Sequence, residues 1–247
     1  MEQHCHTYLA DPIWMQVPWT ENEKNPMDRI VDCLAQAPDV LKDSARLPHL
    51  GLMDQLALAN RIVSECWDLD WALQQCYEEI QASENGPLYW TVLSQGWNQA
   101  NSPGAAELFP VSYQFPNIKT ASTLMMYWAS CIMLWTGLCE LYGVIDQLII
   151  VARAGEPSDG EYDAHGLPPL EHRTDFLSVA RHLCRSVEYC LQKDMLAAGR
   201  FVVSTPLAIA IGSLKDMSEC QREVAWMRNV MVQVRDNGLR IFEYKPV

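Results

Sequence analysis

The side chains best suited to chemistry are tyrosine hydroxyls and large apolar groups, concentrated in one apolar stretch and in a segment that follows it. The candidate catalytic donors are Tyr127, Tyr142 and Tyr189, and the candidate substrate contacts are Met125, Trp128, Met133 and Trp135. A tyrosine hydroxyl can donate a hydrogen bond to a polarised carbonyl, and methionine provides an apolar wall of adaptable shape. This set predicts an apolar small-molecule pocket between helices. Core packing uses the same residue types, so that alternative stays open.

The sequence lacks the signatures of the commoner catalytic chemistries. No GxGxxG, GxxxxGK[ST], HExxH, GxSxG or CxxC pattern occurs. His172 and His182 are ten residues apart and do not share a helix face, which argues against a metal site. Asp68 and Asp70 point about 200° apart on a helix, so we expect solvent-facing aspartates rather than a catalytic pair. We therefore expect neither a metal nor a cofactor.

The charge balance argues against nucleic acids and anionic membrane surfaces as partners. The chain has 18 basic and 31 acidic residues, a net charge of −13 and a pI near 4.8. Nucleic acids and anionic membrane surfaces are bound by clustered lysine and arginine, so we expect neither as a partner. Glu140, Arg181 and Arg185 interrupt apolar runs, and we expect each of them to pair or to reach the surface.

The nine cysteines indicate a reducing compartment. They are scattered over apolar segments in an odd number, as is typical of reduced core cysteines rather than of a disulfide framework. The first residues contain no basic segment followed by an apolar run, so no secretory signal is expected. The predicted location is the cytoplasm.

Most of the candidate site residues lie in one long apolar stretch that must position them. The stretch Phe115–Arg153 carries no charged residue between Ala121 and Cys139, and Asn117 can cap a first helical turn. It predicts a helix of roughly 35 residues, about 50 Å long. Because the pattern continues through Glu140 and Asp146, we expect a buried core helix rather than a membrane span.

The rest of the chain predicts further helices and no strand of useful length. Asn25 and Pro26 begin a helix that Pro38 is expected to interrupt, and residues 83–116 are expected to form a long connection. Other predicted helices are Leu52–Ala82, residues 170–193, a short helix capped by Thr205 with Pro206 at its first position, and one from Ser218 to the Asn237-Gly238 stop. The predicted fold is all-α. It comprises an N-terminal arm, 1–25, and one domain, 26–247, of seven to nine helices around the central helix 115–153.

Three motifs in series resemble the C-terminal helical region of fungal zinc-cluster (Zn2Cys6) transcription factors, over roughly residues 26–247. They are carried by Phe115, Ala121, Tyr127, Trp128 and Ala129, by Ala180, Cys184, Ser186 and Tyr189, and by Thr205 to Ala208 with Glu223, Trp226 and Gly238. The resemblance implies an all-helical regulatory or effector-sensing domain. The six-cysteine DNA-binding module of that family is missing from this sequence.

Similar proteins without the zinc cluster occur in fungal biosynthetic gene clusters, and some act as stand-alone cyclisation catalysts. The resemblance therefore implies a cofactor-free enzyme of fungal secondary metabolism that folds an apolar substrate for cyclisation, such as a [4+2] cycloaddition. A pericyclic reaction requires a shaped apolar site and neither nucleophile nor metal. The alternative is a non-catalytic regulatory or metabolite-sensing domain, which would be nuclear and would not bind DNA itself. The expected partner is an apolar small molecule, with a homodimer left open.

Overall fold

The computed structural model describes residues 10–95, 108–155 and 166–236, and this part of the chain is all-α as predicted. Its seven helices are α1 (Pro12–Gln16), α2 (Pro26–Arg46), α3 (Leu52–Ser83), α4 (Ile118–Gly155), α5 (Phe176–Cys190), α6 (Leu196–Leu214) and α7 (Gln221–Asp236). Two strands, β1 (Trp90–Leu93) and β2 (Val111–Gln114), form one antiparallel sheet.

Contacts between residues divide the chain into two compact units that alternate along the sequence. Unit 1 consists of the described parts of Met1–Cys76 and Leu134–Thr174, and unit 2 of those of Tyr77–Met133 and Asp175–Val247. The long helices α3 and α4 contribute residues to both units. The assignment of 1–25 to an arm and of 26–247 to one domain stays a prediction.

Helix α2 begins as its sequence predicts and continues further than predicted. The Asn25 side chain accepts hydrogen bonds from the backbone N–H groups of Met27 and Asp28, and the Asp28 carboxylate accepts one from the backbone N–H of Asn25. The predicted interruption at Pro38 is wrong, because the helix runs through it to Arg46. An interior proline removes one hydrogen bond, but burial of Ile30 before it and Leu47 after it stabilises the continuous helix.

Helix α4 is the predicted central helix. Asn117 caps it by accepting a hydrogen bond from the backbone N–H of Thr120 at 2.9 Å, so the helix starts after the aromatic and proline residues at 115 and 116. In unit 2 its buried residues include Leu124, Met125 and Ile132. Two stretches, Ile118–Arg153 and Lys193–Leu214, have the length and composition of a membrane span, a test that core helices also pass.

The predicted connection over residues 83–116 contains the sheet, which the sequence did not reveal. Trp90 pairs with Gln114, and Leu93 pairs with Val111. Each strand has only four residues, and β1 is mostly exposed, so neither produces a recognisable alternation of apolar and polar residues. Strand β2 buries Ser112 and Tyr113 and packs against α5. Residues 96–107 of this predicted connection lie outside the described residues.

Helix α5 begins later than predicted. A 3-10 turn, Glu171–Thr174, comes first, and Asp175 then caps α5 by accepting a hydrogen bond from the backbone N–H of Ser178. This cap holds the pKa of the Asp175 carboxyl below its usual range, mainly through the side-chain and backbone hydrogen bonds from Ser178. The cap sets the start of the helix that carries His182 and Arg185.

Helix α6 differs from the prediction at its beginning. The expected cap at Thr205 is wrong, because α6 starts at Leu196 and passes through Pro206. Its first turns pack closely on the end of α5: a Cβ atom added to Gly199 would lie 1.7 Å from the carbonyl oxygen of Cys190. Pro206 is buried, and so are Val203 before it and Leu207 and Ala210 after it, which stabilises the helix across the proline. The predicted stop of α7 at residues 237 and 238 lies outside the described residues.

Candidate functional site

The seven predicted site residues do not all fall in one unit. Unit 2 contains Met125, Tyr127, Trp128, Met133 and Tyr189, whereas unit 1 contains Trp135 and Tyr142. Each group lies beside polar residues that the sequence did not single out for a site. The two units therefore provide two separate constellations, and their side-chain contacts differ in character.

Unit 2 contains a cluster of five rings, here called the aromatic cluster: Tyr89, Tyr113, Phe115, Trp128 and His182. The Tyr89 ring lies 4.5 Å from that of Tyr113 and 5.7 Å from that of Trp128, between centroids. Trp128 and His182 are stacked at 5.4 Å with 22° between their planes. Tyr113, Phe115 and Trp128 are buried, while Tyr89 and His182 are half-buried, so solvent reaches one side of the cluster.

Three groups form what we call the polar edge of this cluster: Tyr113, His182 and Arg185. The hydroxyl of Tyr113 lies 2.8 Å from Nδ1 of His182 and accepts a hydrogen bond from Nη1 of Arg185 at 3.3 Å. Burial lowers the pKa of His182, and the nearby Arg185 charge lowers it further, against an opposing effect of Asp175. The imidazole is therefore neutral at pH 7, and its Nδ1 can accept the hydroxyl proton of Tyr113 in a hydrogen bond.

The predicted site residues of unit 2 differ in their contacts with this cluster. Tyr189 packs on Phe115 with 5.2 Å between ring centroids, and burial raises the pKa of its hydroxyl. Tyr127 stacks on Tyr77 at 5.0 Å. Met125 is fully buried, with its sulfur 3.6 Å from that of Cys190, and Met133 is half-buried. Trp128 is a cluster member, and Tyr189 is connected to the cluster through Phe115.

Unit 1 contains a second constellation, centred on Asp70. Its carboxylate accepts a hydrogen bond from Nε1 of Trp135 at 2.7 Å and two from Arg173, at 2.9 and 2.6 Å. Asp70 is only 1% exposed, so the expectation of a solvent-facing side chain is wrong for it; Asp68 is exposed, as expected. Burial of Asp70 is possible because three donors, two of them charged, replace its hydration.

The same network uses the polar groups of Tyr142 and Trp135. The Tyr142 hydroxyl accepts a hydrogen bond from Nε1 of Trp67 and donates one to the carbonyl of Pro168 at 2.6 Å. The guanidinium of Arg173 also lies 4.4 Å from the Trp67 ring. These contacts attach the segment around residues 168–173 to α3 and α4 within unit 1. Every polar group named here is bonded to protein, which favours a structural role for this network.

The structure gives no sign of a metal centre in the part that it describes. Across residues 10–95, 108–155 and 166–236, no group of three or more His, Cys, Asp or Glu side chains could hold a metal ion. Burial raises the pKa of Cys33 and of Cys190 to about 12, so these thiols are not nucleophiles at neutral pH. The side chains that this described part brings together provide hydrogen bonding and apolar contact.

The chain matches no family model, no curated protein and no solved structure. The resemblance to fungal zinc-cluster transcription factors therefore stays a prediction.

The sequence does not indicate that the three residues of the polar edge lie together. Tyr113 comes from β2, and His182 and Arg185 come from α5, about 70 residues later. One local signal existed: the latter two are three residues apart and so share a helix face. Arg181 pairs with Glu223 at 3.0 Å, and Glu140 is exposed, which confirms the expectation for both residues. Arg185 was also expected to pair or to reach the surface. It is half-buried, and it forms no ion pair with a described carboxylate.

Proposed function

We propose that unit 2 binds an apolar small molecule at its aromatic cluster and folds it for cyclisation without a cofactor. The observation that supports this most directly is the polar edge, where hydrogen-bonding groups lie against large rings. Tyr89, His182 and Arg185 are each half-buried, so a ligand can contact them from solvent. Sites for small molecules combine a mostly apolar lining with a few polar groups that set the orientation.

The chemistry proposed is a [4+2] cycloaddition within one substrate molecule. Two carbon–carbon bonds form as the π bonds of the diene and dienophile rearrange, so the product is an isomer and neither proton nor electron is exchanged with the protein. The rings would hold a flexible polyene in its reactive conformation, which contributes up to about 7–11 kcal/mol in favourable cases. A hydrogen bond to a carbonyl conjugated with the dienophile would stabilise the negative charge that develops there.

Among the groups at this edge, Arg185 is the best candidate for that donor. The Tyr113 hydroxyl is occupied by His182, whereas Arg185 uses only Nη1 in a hydrogen bond with the described residues, which leaves Nη2 for a ligand. In this proposal Trp128 is a substrate contact, as predicted. The predicted donor roles of Tyr127 and Tyr189 and the predicted substrate contacts of Met125 and Met133 stay predictions. Trp135 and Tyr142 belong to unit 1 and have no part in this version of the site.

The test uses synthetic linear trienones that cyclise slowly without catalyst, with tethers of several lengths between diene and enone. We expect acceleration over buffer of about tenfold or more, which corresponds to about 1.4 kcal/mol, and a changed endo-to-exo ratio. Tyr89→Ala and Arg185→Gln should lose both effects. Trp71→Ala, which alters an exposed ring of unit 1, should keep them.

Rates and stereochemistry equal to those in buffer for every tether length would contradict the enzyme proposal. Saturable binding of the same trienones, measured by tryptophan fluorescence with no change in rate, would instead favour the metabolite-sensing alternative. The two functions are thus separated by one set of compounds, because both predict binding and only one predicts turnover.

A further inference from the structure

We infer that the ligand of the aromatic cluster is an apolar acid whose carboxylate binds Arg185. The inference rests on the proposed function for the location of the site, and it adds the chemical class of the ligand.

The charge of Arg185 is not compensated in the way that the other embedded arginines are. On α5, Arg181 is one turn earlier and forms an ion pair with Glu223 at 3.0 Å; in unit 1, Arg173 pairs with Asp70 at 2.6 Å. Across the described residues, Arg185 forms no ion pair, and its Nε is shielded from water without a hydrogen-bond acceptor. An unpaired, shielded N–H of a charged group is costly. Nη2 of this half-buried side chain also has no acceptor among the described residues, so an acceptor that enters from outside would be bound favourably there.

The acids nearest in sequence to Arg185 are engaged elsewhere. Glu188 is one turn further along α5, and its carboxylate accepts hydrogen bonds from the hydroxyl of Ser94 and the backbone N–H of Gln95. Asp175 caps the beginning of the same helix through Ser178. The guanidinium also donates to the Tyr113 hydroxyl, and its charge contributes to the lowered pKa of His182. Of the three groups of the polar edge, Arg185 is therefore the one that carries a positive charge, although the chain as a whole carries a net charge of −13.

The rings next to this charge define the rest of the ligand. The Tyr113 ring lies 5.9 Å from the Arg185 guanidinium and 4.5 Å from the Tyr89 ring, and Tyr89 in turn contacts Trp128. A ligand with its charged group at Arg185 would therefore extend an unsaturated or aliphatic chain along aromatic faces. Guanidinium suits a carboxylate because its planar N–H groups can bind both oxygens, and only Nη1 is used by Tyr113.

The experiment measures the binding of cis-parinaric acid, a fluorescent polyene acid, and of its methyl ester, which has the same chain without the charge. At pH 7.5 we expect the wild-type protein to bind the acid about tenfold or more tightly than the ester. Arg185→Gln should weaken acid binding by a similar factor and leave ester binding unchanged. The matched control is Arg222→Gln, which removes an exposed positive charge from unit 2 and should bind both probes as the wild type does.

Equal affinity of the wild-type protein for acid and ester would overturn the inference, and this comparison needs no variant that has to fold. Preference for the acid that persists in Arg185→Gln would also overturn it, because the charge would then be recognised elsewhere. These outcomes are distinct from failure of the proposed function. Trienone acceleration with no acid preference would contradict only the inference, whereas acid preference through Arg185 without acceleration would support it and contradict the enzyme.

Discussion

At the scale of single residues, Asp70 and Arg185 show two ways in which a charge is placed among apolar groups. Asp70 is surrounded by donors from Trp135 and Arg173, so its carboxylate is satisfied by protein atoms. Arg185 has one hydroxyl contact and a shielded Nε without an acceptor in the described chain. The first arrangement stabilises the fold, and the second leaves binding capacity for a ligand.

Asp70→Asn should destabilise the protein strongly. The change leaves the Arg173 guanidinium, whose side chain is only 12% exposed, without its counter-charge, and breaking a buried ion pair typically costs about 3–5 kcal/mol. The free energy of unfolding in urea would measure this loss. Asp68→Asn is the matched control: its side chain is exposed two residues earlier on the same helix, and its effect should stay within about 0.5 kcal/mol. Similar values for the two variants would contradict a structural role for the Asp70 network.

His182 should make the stability of the protein depend on pH just below neutrality. Because its pKa in the folded state is below the ordinary value of 6.5, the unfolded chain binds the proton more readily in that range. Stability contributed by the neutral imidazole is therefore complete at pH 8 and decreases as pH falls through 6.5 towards the folded-state pKa. Asp175, with its lowered pKa, acts only in a more acidic range, below about pH 4.

Thermal unfolding between pH 5 and pH 8 tests this expectation. His182→Gln should show a smaller decrease in melting temperature over that range than the wild type, whatever its absolute stability. His49→Gln removes an exposed imidazole from unit 1 and should keep the wild-type profile. A profile of His182→Gln parallel to that of the wild type would show that the imidazole is not the titrating group.

At the scale of elements, the junction of α5 and α6 depends on a close approach of two backbones. Gly199 lies in the first turn of α6 against the last residue of α5, and Leu196 at the start of α6 has a φ of 47°. A left-handed conformation is uncommon for leucine and costs about 1–3 kcal/mol, so the packing of α6 must compensate for it. This junction is what brings the apolar length of α6 onto the helix that carries Arg185.

Two glycine variants of α6 should therefore have effects of opposite sign. In Gly199→Ala the new methyl group meets the Cys190 carbonyl oxygen at 1.7 Å, and relief requires movement of the helices, at a cost of about 3 kcal/mol or more. At Gly212 no atom lies within 4 Å of the added Cβ, so Gly212→Ala should stabilise the helix by about 0.5–1 kcal/mol. Chemical denaturation of both variants provides the measurement. A neutral Gly199→Ala would show that the two helices are not so closely packed.

At the scale of the whole molecule, the cysteines behave as the apolar residues that the sequence predicted. Seven of the eight described cysteines are buried, and Cys139 is half-buried. Burial raises the pKa of Cys66 and of Cys220 to about 11, which leaves very little thiolate at pH 8. The rate at which the buried thiols react therefore measures how often each unit opens.

Titration with a thiol reagent at pH 8 should separate these groups. In the native protein seven thiols should react only as fast as the fold opens, while all nine cysteines of the sequence should react at once in denaturant. Cys139→Ser should remove one faster-reacting thiol and leave the seven slow ones unchanged. Immediate reaction of nine thiols in the native protein would contradict the burial of these residues.

The class of fold and the beginnings of several helices could be predicted from local patterns along the chain. Asn25 and Asn117 cap the helices that follow them because a cap acts on backbone N–H groups two or three residues away. The apolar run of α4 likewise predicts one long helix from its own composition. Such features depend on neighbours along the chain, so they are visible before any tertiary contact is known.

The positions at which charges and prolines are tolerated depend on contacts between distant parts of the chain. Asp70 is buried because Arg173 reaches it from 103 residues away, and α6 continues through Pro206 because it is packed along its length. The polar edge also needs a four-residue strand to place Tyr113 beside α5. Burial of a polar group is stable only when its partners are present, and those partners come from parts of the chain whose proximity no local pattern encodes.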